Sequence, residues 1–308
     1  MRITNDDYTP IELLSELTSR STSHCAEPES FFKGEKKKHD WLVDAWASRI
    51  DEILNCFKRY GTLVAETQSI RDQGVDVYLE FEAKGKLHRV GFQIKSALEV
   101  ERDKGFDPKH SLVGALKRQA FEASFSSKFD EWWIVPCFDH IKHVKVIQQI
   151  NAELIMGSPP INGMQIKLLE PRSAASFLSK SNGAIDALCT RLLCREDEVL
   201  QASRSELMKL NDFQRNRVLE LIWPALAGEV SVSQRDLFDM VENLDELADD
   251  CYALEASGFL EADDGEGYVV KPYSFPGLCA LYFEGRVRHE MSHMDSAEFA
   301  TRMLEDLG

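Results

Sequence analysis

The chain has 308 residues, 36 lysines and arginines against 52 aspartates and glutamates, a net charge of −16 and 44% hydrophobic residues. That length suggests about two domains, each able to bury a core, and the composition excludes a disordered or fibrous chain. Charges break every apolar run short of the roughly 18 residues a spanning helix needs, and Asp6, Asp7, Glu12 and Glu16 stand where a secretory signal requires a basic start, so the expected compartment is the cytoplasm.

Seven cysteines without a CxxC pair read as reduced thiols, most of them small core residues. The charge is divided unevenly: residues 1–195 carry 27 basic and 27 acidic residues, residues 196–308 carry 9 and 25. This places a domain boundary near Arg195. A surface as acidic as that of the last third repels phosphates, so nucleic acid, if a partner, meets the first part.

In chain order, residues 1–38 form a polar, poorly packed segment relieved by Ile11-Glu12-Leu13-Leu14 and closed by Gly34-Glu35-Lys36-Lys37-Lys38, a lysine run suited to phosphate contact. From His39 to Tyr60, Trp41, Leu42, Ala45, Trp46, Ile50, Ile53, Leu54 and Phe57 recur at helical spacing. Strands are expected at 62–68, 75–82 and 90–95, the last two joined by the turn Ala83-Lys84-Gly85-Lys86. In the second of these, Val75, Val77, Leu79 and Phe81 share one face; in the third, Gly91, Gln93 and Lys95 face away from the core. Residues 99–110 read as a charged loop. Ser111 caps a helix running to Lys128, and Glu131–Pro136 reads as a buried strand. A helix near 140–154 and a strand at 164–169 complete a mixed α/β domain over 39–195. Residues 196–308 read as mainly helical. Asp212 opens an amphipathic helix, Ser233 and Asn243 open two more, and a hairpin follows Gly258, a winged-helix-like plan before a polar C-terminal helix.

Asp76, Gln93 and Lys95 carry the chemistry. Pairing of the two strands as a hairpin brings an acidic oxygen, an amide oxygen and an ammonium to one solvent-facing spot, suited to a hard divalent cation with a charge-stabilising lysine. Gly74-Val75-Asp76-Val77 followed by Phe92-Gln93-Ile94-Lys95-Ser96 resembles the PD-(D/E)XK nuclease superfamily in its Mrr-like variant, with Gln at the second acidic position. The resemblance covers about residues 39–180. It implies a restriction-endonuclease-like mixed sheet flanked by helices, hydrolysis of DNA phosphodiester bonds with Mg²⁺ or Mn²⁺, Asp76 and Gln93 as metal ligands and Lys95 as the catalytic lysine. Relatives often add a glutamate from the first helix or strand, for which Glu52 and Glu66 are the candidates; Glu80 and Glu82 share a face with Asp76. By the same resemblance Lys117, Arg118 and Gln119 meet the phosphate backbone, and the protein serves in restriction or anti-phage defence, often beside an ATPase or helicase. The acidic domain is expected to hold a protein partner or a second copy. An uncharged Gln93 also leaves open a nuclease-fold protein that binds or assembles without cutting.

Overall fold

The computed structural model of the protein describes residues 8–19, 28–60, 65–69, 74–102, 111–126, 128–156, 160–228, 230–233, 237, 244–263 and 267–305. The chain divides into two compact units, within Asp6–Ile185 and Asp186–Gly308. The division lies inside a helix, α8 of the scheme below, ahead of the charge boundary at Arg195.

The first unit begins with α1 (Pro10–Ser19) and the short α2 (Pro28–Phe31), followed by a 3₁₀ turn at Gly34–Lys37. This segment is better packed than its polar composition suggests. Leu13, Leu14 and Leu17 lie on one helical face and are at most 1% exposed, against α3 (His39–Tyr60) and α7 (Pro171–Ser179). Three leucines at the right spacing bury a helix whatever the average polarity around them.

Helix α3 matches its apolar periodicity from end to end. Trp46 lies 5.0 Å from Phe177 and 5.7 Å from Phe92 of the sheet, and burial of each such ring contributes roughly 1.5–3 kcal/mol. The strands are β1 (Ala65–Ser69), β2 (Val77–Ala83), β3 (Lys86–Ser96), β4 (Glu131–Cys137) and β5 (Gln165–Leu168), side by side in sequence order. β1–β2 and β2–β3 pair antiparallel; β3–β4 and β4–β5 pair parallel, which makes the sheet mixed. The β2–β3 hairpin closes on Lys84 and Gly85, both with positive φ (52° and 73°), which fits a two-residue turn. α5 (Leu112–Ser126) supplies Leu116, Ala120 and Ala123 to a second layer against Trp132 and Ile134. The sheet is therefore covered on both faces. α4 (Ala97–Glu101) and α6 (Val144–Ile150), the latter continued by a π turn to Ile155, complete this unit before α7.

Helix α8 (Asn182–Leu193) spans the division. The second unit continues with α9 (Glu196–Met208), α10 (Asp212–Ala227), β6 (Ser231–Ser233), α11 (Leu244–Ala256), β7 (Leu260–Asp263), β8 (Gly267–Val270), α12 (Pro276–Phe283) and α13 (His293–Glu305). The small sheet has the order β6-β8-β7, all antiparallel. Asn211 caps α10 in a capping box with Gln214, one residue ahead of the expected Asp212. Ser233 ends β6 instead of opening a helix, and most of the helix expected there lies outside the described residues. Asp250 of α11 accepts from Asn211 and Gln214 at 2.6 and 2.8 Å, which ties α11 to α10. The six described cysteines are buried, and no disulfide joins any two of them. No helix of the described residues is long and apolar enough to cross a membrane.

Glu206 of α9 accepts from Gly277 N at 2.8 Å and Leu278 N at 3.1 Å, so it caps α12 from a neighbouring helix. Burial pushes its carboxyl up to about 7 against the pull of those two donors. A folded value above the usual one makes the group's contribution to stability complete below about 4.5 and lost as pH rises through about 7. Thermal denaturation from pH 5 to 8 will therefore show wild type losing melting temperature with rising pH relative to Glu206→Gln, which has no carboxyl to ionise.

Candidate functional site

The site is built from the break in the chain just before β2. Gly74 has φ +79°, and a Cβ placed there would stand 2.2 Å from the Gln119 carbonyl oxygen of α5. Only glycine allows both that backbone conformation and that approach. The Trp132 indole N–H donates to the Gly74 carbonyl at 2.9 Å and holds the segment against the sheet. The bend also turns Val75 out of the alternation expected for it. Val75 packs with Leu116, Ala120 and Trp132 in the α5 layer, while Val77 pairs with Phe92, whose ring meets Trp46 and Trp133 of the opposite layer.

Asp76 then extends the β2–β3 ladder with its side chain. Its backbone N–H donates to the Phe92 carbonyl at 2.9 Å. Its carboxylate Oδ2 accepts from the Ile94 N–H at 2.7 Å and from Gln93 Nε2 at 2.5 Å. The hairpin thus brings Asp76 beside Gln93 as the strand pairing requires. The expectation of a solvent-facing spot is corrected, however: Gln93 and Lys95 are only 2% and 3% exposed, because β3 has β2 and β4 on its two edges and helices over both faces. Gln93 Oε1 is buried and has no hydrogen-bond donor among the described residues. A buried carbonyl oxygen without a partner costs on the order of 1–3 kcal/mol.

Lys95 Nζ donates to Glu99 Oε1 at 3.1 Å. Glu99 lies on α4, within the stretch read as a loop. Ser96 caps α4 in a capping box, its hydroxyl accepting from the Glu99 N–H at 3.3 Å while Glu99 Oε2 accepts from the Ser96 N–H at 2.8 Å. The Ser-x-x-Glu spacing was a legible signal for this turn. His39, the first residue of α3, completes the group: Nε2 stands 3.3 Å from Asp76 Oδ1 and Nδ1 3.4 Å from Glu99 Oε2. Nothing in the sequence links position 39 to position 76. The contacts with Asp76 and then Glu99 raise the imidazole to about 10 despite its burial. Burial raises the Glu99 carboxyl, but His39, Lys95 and Ser96 outweigh it and hold the group down at about 2. A cavity of ≈ 200 Å³, lined by His39, Asp40, Val43 and Asp76, opens beside the cluster.

The other expected site residues divide. Glu52 lies on α3 thirteen residues beyond His39, about 20 Å along the axis, and does not join Asp76. Glu66 pairs in register with Glu80, which stands four residues along β2 from Asp76, about 13 Å away; the Glu66 side chain lies outside the described residues. Glu80 itself pairs with Arg89, and Glu82 is exposed further along the same strand. Glu99 is the acid that the structure brings to the cluster. Lys36, Lys37 and Lys38 directly precede His39. Lys36 sits 4.3 Å from the Phe31 ring and Lys38 pairs with Glu35 at 2.6 Å, while the Glu101 carboxyl is lowered chiefly by Lys142, at 3.0 Å, and less by Lys37. On α5, Gln119 abuts Gly74, and Arg118 is 67% exposed, 3.9 Å from Glu122. Lys117 instead turns to Glu153, at 2.7 Å.

Two outcomes follow from this geometry. Gly74→Ala will destabilise the protein by at least about 2 kcal/mol in denaturant titration, since backbone strain and a clash with rigid backbone add. The His39–Glu99 pair stabilises fully between about pH 4.5 and 6.5 and fades as pH rises through about 10 or falls through about 2. The melting-temperature gap between wild type and His39→Ala will accordingly be wider at pH 6 than at pH 10.

Comparison with protein-family models, with curated proteins and with solved structures finds no match to this chain, so the reading of its site rests on the geometry above.

Proposed function

We propose that the chain is a divalent-metal-dependent nuclease that hydrolyses DNA phosphodiester bonds, with a restriction-endonuclease-like first unit and a winged-helix-like second unit. The observation that carries the reading is the convergence of Asp76, Gln93, Lys95 and Glu99 at the point where β2 begins, beside the end of β3. Two carboxylates lie here, and the Gln93 amide, whose nitrogen faces Asp76, would turn its donor-free oxygen toward them to give the hard oxygen set that Mg²⁺ or Mn²⁺ prefers. Glu99 offers a second negative charge where Gln93 has none, which supports the metal-dependent reading. The mixed sheet with α3 and α5 on its two faces supports the same fold.

Asp76, Gln93 and Glu99 would hold the ion. When bound, it polarises the scissile phosphate and acidifies a water. The protein's own part is positioning and charge. Lys95, fixed by Glu99 in a setting almost closed to water, presents an ammonium to the negative charge that develops on the phosphate, where a low dielectric makes it count. Asp76 is oriented by the Ile94 N–H and so needs no reorganisation on substrate binding. Lys36, Lys37 and Lys38, next in sequence to His39, and Arg118 and Gln119, beside Gly74, are assigned to the phosphate backbone. Lys117, paired with Glu153, contributes less.

The acidic unit is assigned to a protein partner. Helix α11 exposes Asp249, Tyr252 and Glu255 and contains no lysine or arginine, so it repels the phosphates that a DNA-reading helix neutralises. A basic protein surface complements it. Restriction or anti-phage defence in the cytoplasm is the setting we infer from the motif.

The test is cleavage of plasmid, linear duplex, single strands and RNA with Mg²⁺ or Mn²⁺. Metal-dependent cutting of DNA is expected, with Lys95→Ala slower by about 10²–10³-fold and Asp76→Ala inactive. Absence of cutting together with metal-independent binding of DNA would favour a nuclease fold kept for assembly. Neither cutting nor binding would sink both.

A further inference from the structure

We propose that His39 is a gate on the cation site: its ring occupies the gap between the Asp76 and Glu99 carboxylates and must swing out for the divalent ion to enter. The inference rests on the metal-dependent reading above and adds how the site is kept closed.

The ring's two nitrogens address the two carboxylates separately, Nε2 facing Asp76 at 3.3 Å and Nδ1 facing Glu99 at 3.4 Å. A histidine ligand points one nitrogen at the point its fellow ligands share. Here the ring stands between those fellow ligands, so an ion reaching both carboxylates takes the ring's place. The rest of the cluster is arranged for an ion-free state. Gln93 turns its amide nitrogen, not its oxygen, to Asp76, and its oxygen is left buried without a donor.

The ring also has somewhere to go. His39 opens α3, and the backbone at Lys38 before it is extended (φ −80°, ψ 135°). The side chain therefore turns about its own χ1 without disturbing Leu42 or Trp46, which anchor the helix. The cavity beside the cluster, ≈ 200 Å³ and lined by His39, Asp40, Val43 and Asp76, gives the ring room to turn. Lys36 and Lys37 end the 3₁₀ turn Gly34–Lys37, and Lys38 joins that turn to His39.

Two measurements on the full-length chain without nucleic acid test the gate. In the first, Mn²⁺ affinity is read by titration calorimetry for wild type, His39→Ala, His39→Asn and Asp76→Asn. His39→Ala and His39→Asn, whose side chains cannot span both carboxylates, are expected to bind at least about tenfold tighter than wild type, a difference of about 1.4 kcal/mol, and Asp76→Asn to lose the site. In the second, diethyl pyrocarbonate labelling of His39 is followed by peptide mass spectrometry with and without Mg²⁺. Mg²⁺ is expected to speed labelling several-fold in wild type and to leave Asp76→Asn unchanged. Protection of His39 by Mg²⁺, or weaker Mn²⁺ binding by His39→Ala, would make the histidine a ligand and overturn the gate. Equal affinity in wild type and both His39 variants, with the site lost in Asp76→Asn, would overturn the gate alone. No Mn²⁺ bound at Asp76 in either wild type or His39→Ala would remove the metal-dependent reading and the gate together.

Discussion

The cluster depends on a single carboxylate that finishes a β-ladder. β2 begins only at Val77, two positions short of the place that would face Ile94 in the ladder, and the Ile94 N–H would face a gap. Asp76 fills it with a side-chain oxygen where a strand would offer a carbonyl. A buried backbone donor must be satisfied, so the fold itself fixes this carboxylate in place. The same oxygen holds Gln93, and the other faces His39. Upstream, the requirement passes to Gly74, since only a residue without a Cβ lets the chain pass under Gln119 and arrive at Asp76.

What the sequence made legible follows from how local each cause is. Helix α3 and the β2–β3 turn were readable because their causes lie within a few residues: apolar spacing in one, Lys84-Gly85 in the other. The pairing of Asp76 with Gln93 was readable because a short hairpin leaves little choice of register. α1 was read as loose because average polarity hides three leucines on one face. Glu99 was missed although its capping box was present, because charge density over 99–110 outweighed a two-residue signal. The burial of Gln93 and Lys95 was missed for a different reason. Alternation marks polar positions as outward, yet a strand with neighbours on both edges and helices on both faces has no outward side. His39 lay beyond reach because its link to Asp76 exists only in three dimensions.

The two units handle buried charge in different ways. In the second unit Glu284, 4% exposed, takes a bidentate pair from Arg191 at 2.5 and 2.6 Å and a further bond from Arg288 at 3.0 Å. The carboxylate there is fully neutralised by guanidinium donors, the geometry of a structural tie. In the first unit two carboxylates, Asp76 and Glu99, are matched by two cations, the His39 imidazolium and Lys95, but the Gln93 amide oxygen beside them has no donor among the described residues. Burial is common to both clusters. Completion is what separates them.

That incompleteness argues for function over architecture. A sheet whose Gln93 and Lys95 positions held apolar residues of similar volume would fold at least as well, since buried ion pairs seldom exceed hydrophobic replacements in stability. The chain instead bears the cost of an amide oxygen unpaired among the described residues and a nearly buried lysine at one end of a hairpin, next to a cavity lined in part by His39. Selection for stability alone removes such features, and they persist where a binding partner completes them. Two buried side-chain atoms of the cluster are left without a hydrogen bond among the described residues, Gln93 Oε1 and His39 Nδ1, and under the reading proposed above a divalent cation would complete the first as the imidazole leaves.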